Sequence, residues 1–491
     1  MSPDSIVLLI IGYFSILLSI SFLTGKSSNN TVFFKANNTS PWYLVAFGMI
    51  GASLSGVTFI SVPGWVATQQ MSYFQMVLGY IVGYLVIGVV LLPLYYKLNL
   101  TSIYTYLESR FGKNTYKTGA IYFLLSRTVG AAFRLFLVAN VLQLVVFDSY
   151  GVPFWATVIV TVLLIWLYTF KGGIKTIVWT DTLQTLFMLI AVGVCIYSIS
   201  KKLHIENVFA FVTESNYSKI FYFKNFSEGN YFWKQFLSGA FIAIVMTGLD
   251  QDMMQKNLTC KTLKDAQKNM FWFTIVLVIV NFFFLVLGIL LTTFAQQEGI
   301  LVTGDPVFPT LATNGNLGTA TALFFILGLI AAAYSSADSA LTALTTSFSV
   351  DILEIDKKPT NYPKEKARKI VHITFSIVLI ICILLFKYLI KDTSIIASIF
   401  KAAGYTYGPL LGLYTFGLFT NKQSNDNYIP IICIGSPILT YFISYYSLKY
   451  LNFDFGFFVL ILNGFLTFFG ILFLSKTKSF KNDKSSFIIS P

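Results

Sequence analysis

Residues 331–342 read AAAYSSADSALT, a run that sets hydroxyls and a carboxyl within apolar sequence. The polar residues continue to residue 349 at the spacing of one helix face, so a helix carries them as a single stripe. An ionisable group inside a bilayer costs about 3 kcal/mol, and Asp338 therefore indicates an ion or substrate pathway. If the hydroxyls only bond carbonyls of their own helix or join neighbouring helices, the carboxyl stays unexplained. The stripe consists of Ser335, Asp338, Ser339, Thr342, Thr346 and Ser349.

The composition places this chain in a membrane. Of its 491 residues, 56% are hydrophobic and 11% are charged, and the mean hydropathy is +0.72. These values are too apolar for a soluble domain of this length. Apolar runs of about 20 residues predict spanning helices rather than the short alternating strands of a barrel. We therefore expect an all-α polytopic membrane protein, with residues 1–491 forming one membrane domain. Thirteen spans are predicted, near residues 5–24, 42–68, 73–97, 117–146, 154–170, 176–199, 233–254, 269–296, 317–350, 368–387, 393–420, 427–447 and 453–475.

Lysine and arginine are unevenly divided between the two sets of loops. With the N-terminus outside, twenty-three of them fall on the cytoplasmic side, Lys256 among them, and eight fall on the outer side. This asymmetry follows the positive-inside rule and predicts a cytoplasmic C-terminus in a cell membrane, here a bacterial inner membrane. Topology thereby explains the net charge of +13, so neither a nucleic acid nor an obligate protein partner is inferred. The lipid bilayer and a small-molecule solute are the expected partners.

Two predicted spans contain residues that interrupt a helix. Residues 48–59 read GMIGASLSGVTF, and residues 246–256 read MTGLDQDMMQK. Unwound backbone in mid-membrane lines a cavity, and its carbonyls are hard ligands suited to a small cation. For the first stretch the alternative is a tight helix crossing through small residues. Breaks near the starts of residues 42–199 and 233–420 predict two repeats of about five helices each.

Two arginines lie within a predicted span. Arg127 and Arg134 are seven residues apart and share one face of a helix. Two guanidiniums inside a membrane need partners. One reading is a carboxylate-bearing substrate held in bidentate fashion, and the other is pairing with acids of the protein or with helix-end carbonyls. The residues leave both readings open. The candidate acids are Asp181, Asp250 and Asp338.

Several short motifs follow the order and spacing of the sodium/solute symporter family, which holds the sodium/glucose cotransporters and bacterial sialic acid transporters. They are residues 53–59 (SLSGVTF), 101–111 (TSIYTYLESRF), 172–174 (GGI) with 179–181 (WTD), 250–251 (DQ) with 255–256 (QK), 331–339, and 408–413 (GPLLGL). On these motifs the chain is identified as a member. Membership implies a LeuT-like core of five-plus-five inverted repeats with alternating access. Residues 5–24 would then form an extra first helix, and 427–475 would form two helices after the core.

The resemblance also implies ion sites and a solute cavity. The main sodium site would use backbone oxygens of Gly51, Leu54 and Ala332 with the hydroxyls of Ser335 and Ser336. A second sodium site, found in some members, would match Asp181, Ser335, Asp338 and Ser339. Asp338 departs from the hydroxyl residue that is more usual there, which puts the coupling stoichiometry in doubt. The solute cavity would be lined by Ser53, Ser55, Thr58, Gln75, Tyr80 and Gln251, with Arg127 and Arg134 nearby.

The predicted function is sodium-coupled import of a small organic solute by alternating access. The two arginines favour an anionic solute, such as a sialic acid or a monocarboxylate, over a neutral sugar. One alternative is a proton-coupled carrier of the same fold, suggested by Asp181 and Asp338. Another is a non-transporting solute sensor, for which the tail after residue 475 is short. No enzyme is expected, because the two histidines, His204 and His372, belong to no catalytic cluster.

Overall fold

Helices dominate the structure, which is a computed structural model and describes residues 3–24, 30–169, 173–313, 317–359, 361–389 and 394–476. In chain order the main helices are α1 (Asp4–Thr24), α2 (Trp42–Gln69), α3 (Tyr73–Lys97), α4 (Lys113–Val145), α5 (Phe154–Thr169), α6 (Ile174–Lys202), α7 (Phe232–Gly248), α8 (Gln251–Asn257), α9 (Leu263–Gln297), α10 (Thr319–Ile352), α11 (Lys364–Leu389), α12 (Ile395–Thr406), α13 (Gly408–Phe419), α14 (Ile429–Leu451) and α15 (Gly456–Leu474). Short helices lie at Asn30–Lys35, Thr105–Arg110, Val208–Glu214 and Val307–Thr313, and β1 (Gln423–Ser424) pairs antiparallel with β2 (Ser475–Lys476).

The all-α membrane fold is confirmed. Within the described ranges, ten helices are long and apolar enough to cross a bilayer, or eleven if α7 and α8 form one bent span. Helix α5 falls on the predicted span at 154–170, and α12 with α13 falls on the predicted span at 393–420, but each of these helices is shorter. The count of thirteen spans therefore stays a prediction.

Both predicted helix interruptions are present. In α2, Ser55 has a φ of +36°, in the left-handed region that side-chain-bearing residues rarely adopt. Helices α7 and α8 are bent by 68° where they meet. Asp250 caps the start of α8, because its carboxylate accepts hydrogen bonds from the backbone nitrogens of Asp252 (2.9 Å) and Met253 (3.4 Å). Each break places helix ends inside the bundle, where side chains satisfy some of their polar groups. Tyr95 donates to the carbonyl of Gly248, and Tyr104 donates to that of Leu249.

Helix α10 lies at the centre of the bundle and packs against α2, α4 and α6. None of the six residues of its polar stripe exposes more than 1% of its surface, so the stripe faces protein rather than lipid. Some of its hydroxyls bond their own helix: Ser339 donates to the carbonyl of Ser335 (2.9 Å), and Thr346 donates to that of Thr342 (2.8 Å). Asp338 instead bonds a side chain of α5 and is treated below. Own-helix bonding therefore explains only part of the stripe.

The prediction that Lys256 lies in a cytoplasmic loop is wrong. All seven residues of α8 are buried, and Lys256 is 1% exposed. After the break the chain continues as a further helix inside the bundle, and this helix carries the lysine inward. Gly172, the first residue of the motif at 172–174, and the tail beyond Lys476 lie outside the described residues.

A close crossing joins α3 to α7. A Cβ added at Gly79 would lie 2.0 Å from the carbonyl oxygen of Phe236, and one added at Gly239 would lie 2.1 Å from the carbonyl oxygen of Met76. Glycine permits two helix backbones to approach this closely, whereas any larger residue would force them apart.

We expect Gly79→Ala to lower the free energy of unfolding by about 1–3 kcal/mol, because the added methyl group forces the two backbones apart. The measurement is the apparent melting temperature of the purified protein in detergent. Gly88→Ala is the matched control, since a Cβ at Gly88, on the same helix, meets no atom within 4 Å. Equal shifts in the two variants would contradict the crossing.

Candidate functional site

The first candidate site lies where the break of α2 meets α10. A Cβ added at Gly51 would lie 3.3 Å from the hydroxyl oxygen of Ser335. The hydroxyl of Ser336 donates a hydrogen bond to the carbonyl oxygen of Ala52 at 3.1 Å. The interrupted segment and the serine stripe, which are far apart in the sequence, are therefore in direct contact.

The oxygen atoms at this contact suit a small cation. The backbone departs from helical geometry at Ser55, and the nearby carbonyl of Ala52 accepts a side-chain hydrogen bond from α10. Carbonyl and hydroxyl oxygens are hard ligands for hard cations. Across the described part of the chain, no group of three or more His, Cys, Asp or Glu side chains could hold a metal ion. The set predicted for sodium, which is Gly51, Leu54, Ala332, Ser335 and Ser336, has donors of this chemistry and stays a prediction.

A buried charge cluster lies beside this contact. The ammonium of Lys256 is 2.6 Å from Oδ2 of Asp181, and the hydroxyl of Ser335 donates to Oδ1 of the same carboxylate at 2.7 Å. The hydroxyl of Tyr168 donates to Oδ2 of Asp338 at 2.8 Å. Among the described residues, no lysine or arginine forms an ion pair with Asp338, which also accepts a hydrogen bond from the backbone nitrogen of Ser339. The predicted members of the second sodium site are therefore together, with a lysine added.

Lys256 is the functional candidate that sequence reasoning missed. Its signal was its place directly after Gln255, at the end of a polar stretch that interrupts a span. A lysine at the end of an apolar run normally marks the membrane surface, and only the path of α8 shows that this one is buried. The ammonium matters for ion binding, because it already supplies the counter-charge of Asp181, a carboxylate that a second sodium ion would need.

A cavity with a volume of about 80 Å³ lies between α2, α3, α4, α7, α8, α9 and α12. Six predicted solute residues line it: Ser53, Ser55, Thr58, Tyr80, Arg127 and Arg134. The structure adds further polar and aromatic side chains: Tyr73, Tyr84, Thr247, Asn281 and Phe400. A single tyrosine, asparagine or phenylalanine in an apolar helix is typical of packing, so the sequence carried no signal for four of these. Thr247 lies in the interrupted stretch 246–256, which the sequence did single out.

The two arginines of α4 differ in their pairing. Arg127 forms an ion pair with Asp252 and lies 4.0 Å from Asp250, so pairing with protein acids holds for this residue. Asp252 was not among the predicted acids. Arg134 is 8% exposed, and neither its Nε nor its Nη1 atom has a hydrogen-bond partner within the described ranges. A buried charge without a partner is costly, and Arg134 is therefore the arginine that a ligand in the cavity can pair with.

Two other predicted solute residues turn away from the cavity. Gln75 accepts a hydrogen bond from the backbone nitrogen of Tyr222 at 3.0 Å. Gln251 accepts one from the backbone nitrogen of Ile103 (3.0 Å) and donates one to the carbonyl of Thr101 (2.8 Å). Neither lines the cavity, because each amide satisfies backbone groups of a connecting segment that would otherwise be unpaired. Their solute contact stays a prediction that this geometry does not support.

Aromatic rings separate the cavity from a second, more open pocket. Tyr73 and Phe400 stack with 6.4 Å between ring centroids, and Phe400 lies 5.3 Å from Phe457. Phe457 and Trp65 line the second pocket, and Trp65 lies 6.2 Å from Tyr73. These four side chains, which we call the aromatic layer, close one end of the cavity.

Two ion pairs join the start of α4 and the short helix Thr105–Arg110 to the segment that follows α10. Lys117 lies 2.7 Å from Glu354, and Lys357 lies 3.2 Å from Glu108. The hydrogen bond from Lys117 lowers the pKa of Glu354 below its usual value. Partly exposed pairs are worth at most about 1 kcal/mol each, a strength suited to contacts that break when helices move.

The sequence profile described as "Sodium:solute symporter family" matches residues 33–427 of this chain. The sodium/sialic acid symporter NanT of Aliivibrio fischeri (strain ATCC 700601 / ES114) is 25% identical over 429 residues, which span 83% of this chain and 81% of that protein. The sodium/sialic acid symporter SiaT of Proteus mirabilis (strain HI4320) is 23% identical over 450 residues, which span 86% of each protein.

One solved structure shows a Na+-coupled sialic acid symporter in a substrate-bound outward-open state. It matches this chain with a TM-score of 0.80 at 20% sequence identity, covering 96% of this chain and 99% of that one. At this identity the likeness shows the fold and not the solute. The helical bundle described above is therefore a transporter fold.

Proposed function

Because this chain belongs to the sodium:solute symporter family, we propose that it imports a small organic anion together with sodium through the cavity beside the α2 break. The chain is a membrane transporter and not an enzyme, and sodium is its coupling ion. The proposal that the solute is an organic anion rests on Arg134.

Arg134 carries the solute proposal because it is the cavity's unpaired cation. Arg127 is neutralised by Asp252, whereas two nitrogens of Arg134 have no partner within the described chain. A carboxylate can accept two parallel hydrogen bonds from a guanidinium, and the hydroxyls of Ser53, Thr58 and other lining residues can bond further polar groups. A neutral solute would leave these two nitrogens without a charged acceptor, so an organic acid such as a sialic acid or a monocarboxylate fits better.

Sodium would bind at the contact of α2 with α10, through the five residues already described for that site. Its binding joins the broken helix to the serine stripe, and the same broken segment carries the cavity residues Ser53 and Ser55. Ion binding would thereby order the wall of the solute cavity. The driving force is sufficient for uptake, because one charge moving down 100 mV releases about 2.3 kcal/mol before the concentration gradient is counted.

Transport would proceed by alternating access in a five-plus-five inverted repeat, with residues 42–199 and 233–420 as the two halves. The breaks in α2 and between α7 and α8 stand near the start of each half, as such repeats require. We place thirteen spans in a bacterial inner membrane with the N-terminus outside. The aromatic layer would be the outer closure, and the Lys117 and Lys357 ion pairs would be the inner one.

Uptake into proteoliposomes tests this function. We expect an inward sodium gradient to drive accumulation of at least one radiolabelled organic acid from a panel of sialic acids and monocarboxylates, and neutral sugars to compete poorly. Replacing sodium with choline at neutral pH should abolish uptake. Accumulation of a neutral sugar in preference to every acid would refute the proposed solute class, and undiminished uptake in choline would refute sodium coupling.

A second candidate is proton coupling, which the surroundings of Asp338 favour. A fully buried carboxyl that has no ion-pair partner in the described chain needs either a proton or a cation. Uptake in choline at acidic pH separates the two functions. A proton-coupled carrier keeps working under that condition, whereas a sodium-coupled one stops.

A further inference from the structure

We propose that the ammonium of Lys256 is a tethered cation that takes the place of a second sodium ion, so that each transport cycle is coupled to one sodium ion. This inference rests on the sodium coupling proposed above and concerns its stoichiometry. It also replaces the second sodium site that the sequence predicts around Asp181.

The geometry gives both oxygens of Asp181 a partner from the protein. Oδ2 lies 2.6 Å from the Lys256 ammonium, and Oδ1 accepts the Ser335 hydroxyl at 2.7 Å. Lys256 comes from α8, Asp181 from α6 and Ser335 from α10, so three helices meet at one ion pair. Neither charged residue exposes more than 1% of its surface. The carboxylate therefore has its counter-charge without any bound ion.

The remaining members of the predicted second site are also engaged. The Ser339 hydroxyl donates to the carbonyl of Ser335, and the Tyr168 hydroxyl donates to Asp338. The Lys256 ammonium already balances Asp181, so a sodium ion at that carboxylate would have to compete with it for the same charge. Displacing the lysine would in turn leave a buried ammonium without a partner. The residues present thus fit a lysine in this place better than a second sodium ion.

The position of Lys256 on α8 gives the pair a role in the cycle. Helix α8 follows the 68° bend of the second broken span, whereas Ser335 also belongs to the predicted sodium site. The Asp181–Lys256 pair therefore connects the second broken helix to the serine that would hold the coupling ion. The link from α8 to Ser335 needs a positive charge at Asp181. Because Lys256 is part of the chain, its ammonium supplies that charge in every transport cycle.

A variant that lacks the Lys256 ammonium should bind a second sodium ion in its place. In proteoliposomes we expect the wild-type protein to show a Hill coefficient for sodium of about 1 and Lys256→Met to show about 2, because the bared Asp181 carboxylate then recruits a sodium ion. Lys256→Arg, which keeps the charge, should stay at about 1. The double variant Lys256→Met with Asp181→Asn removes both charges and should also return to about 1.

A second readout covers the case in which Lys256→Met transports poorly. The melting temperature of purified Lys256→Met should rise more steeply with sodium concentration than that of the double variant, since a ligand stabilises the fold that binds it. A Hill coefficient near 2 in the wild type overturns the inference. Sodium responses of Lys256→Met that match those of the double variant overturn it as well. Wild-type uptake without any sodium dependence overturns the proposed coupling, and this inference with it.

Discussion

Replacing Arg134 with alanine is expected to weaken uptake of the organic acid by about 10- to 100-fold, measured as the solute concentration that gives half-maximal uptake. Hydrogen bonds to charged groups contribute about 1.5–3 kcal/mol, and every 1.4 kcal/mol is tenfold in affinity. The loss should be specific for acids, because the guanidinium meets the carboxylate and not the rest of the solute. Arg134→Lys should retain part of the affinity, since it keeps the charge but loses the planar fork.

Lys401→Ala is the matched control for this prediction. Lys401 is an exposed cation on α12, next to the cavity residue Phe400. Its removal should leave the affinity for the acid unchanged, which separates a contact in the cavity from a general effect of positive charge. If Arg134→Ala weakened the binding of neutral competitors as much as that of acids, the arginine would be holding the fold and not the solute.

Replacing Ser336 with alanine is expected to raise the sodium concentration for half-maximal uptake by at least about tenfold. The variant removes a proposed hydroxyl ligand of sodium and the hydrogen bond to the Ala52 carbonyl, which together join α10 to the broken helix. Loss of one such interaction costs about 1.5–3 kcal/mol when a charged group is involved. At saturating sodium the maximal rate should recover, because the solute cavity itself is unaltered.

Thr321→Val provides the control on the same helix. The Thr321 hydroxyl is buried but bonds only the Leu317 carbonyl, one turn away, at 2.9 Å. Its loss should leave the sodium dependence of uptake unchanged. In both variants this dependence is measured by exchanging sodium for choline at a fixed concentration of the acid. If Ser336→Ala responded to sodium like the wild type, this serine would not be a ligand of the ion. If Thr321→Val raised the sodium concentration for half-maximal uptake as much as Ser336→Ala, the effect would come from loss of a buried hydroxyl on α10 and not from the ion site.

Interruptions in apolar sequence were sufficient to find the elements that form the site. A glycine-rich stretch and a serine stripe stand out because membrane helices rarely hold such residues without a reason. Their contact through Gly51, Ser335 and Ser336 was expected only from the resemblance to the symporter family. The interruptions indicate that freed backbone groups must be satisfied inside the bundle, but not by which residues. Gln75 and Gln251 show the limit of that logic. An amide is equally suited to a solute and to a backbone segment, and only the packing shows which of the two it serves.

The sequence by itself determined that this protein is a helical membrane protein, where its helices break, and which stripe turns inward, because bilayer insertion and helical periodicity act on neighbouring residues. The tertiary structure alone decided how the charges pair. Arg127 and Asp252 are separated by 125 residues, and Asp181 and Lys256 by 75. Pairing over such distances depends on how whole helices pack. Within the described residues, that packing leaves two nitrogens of Arg134 without a hydrogen-bond partner and places a lysine beside Asp181, where a second ion was expected.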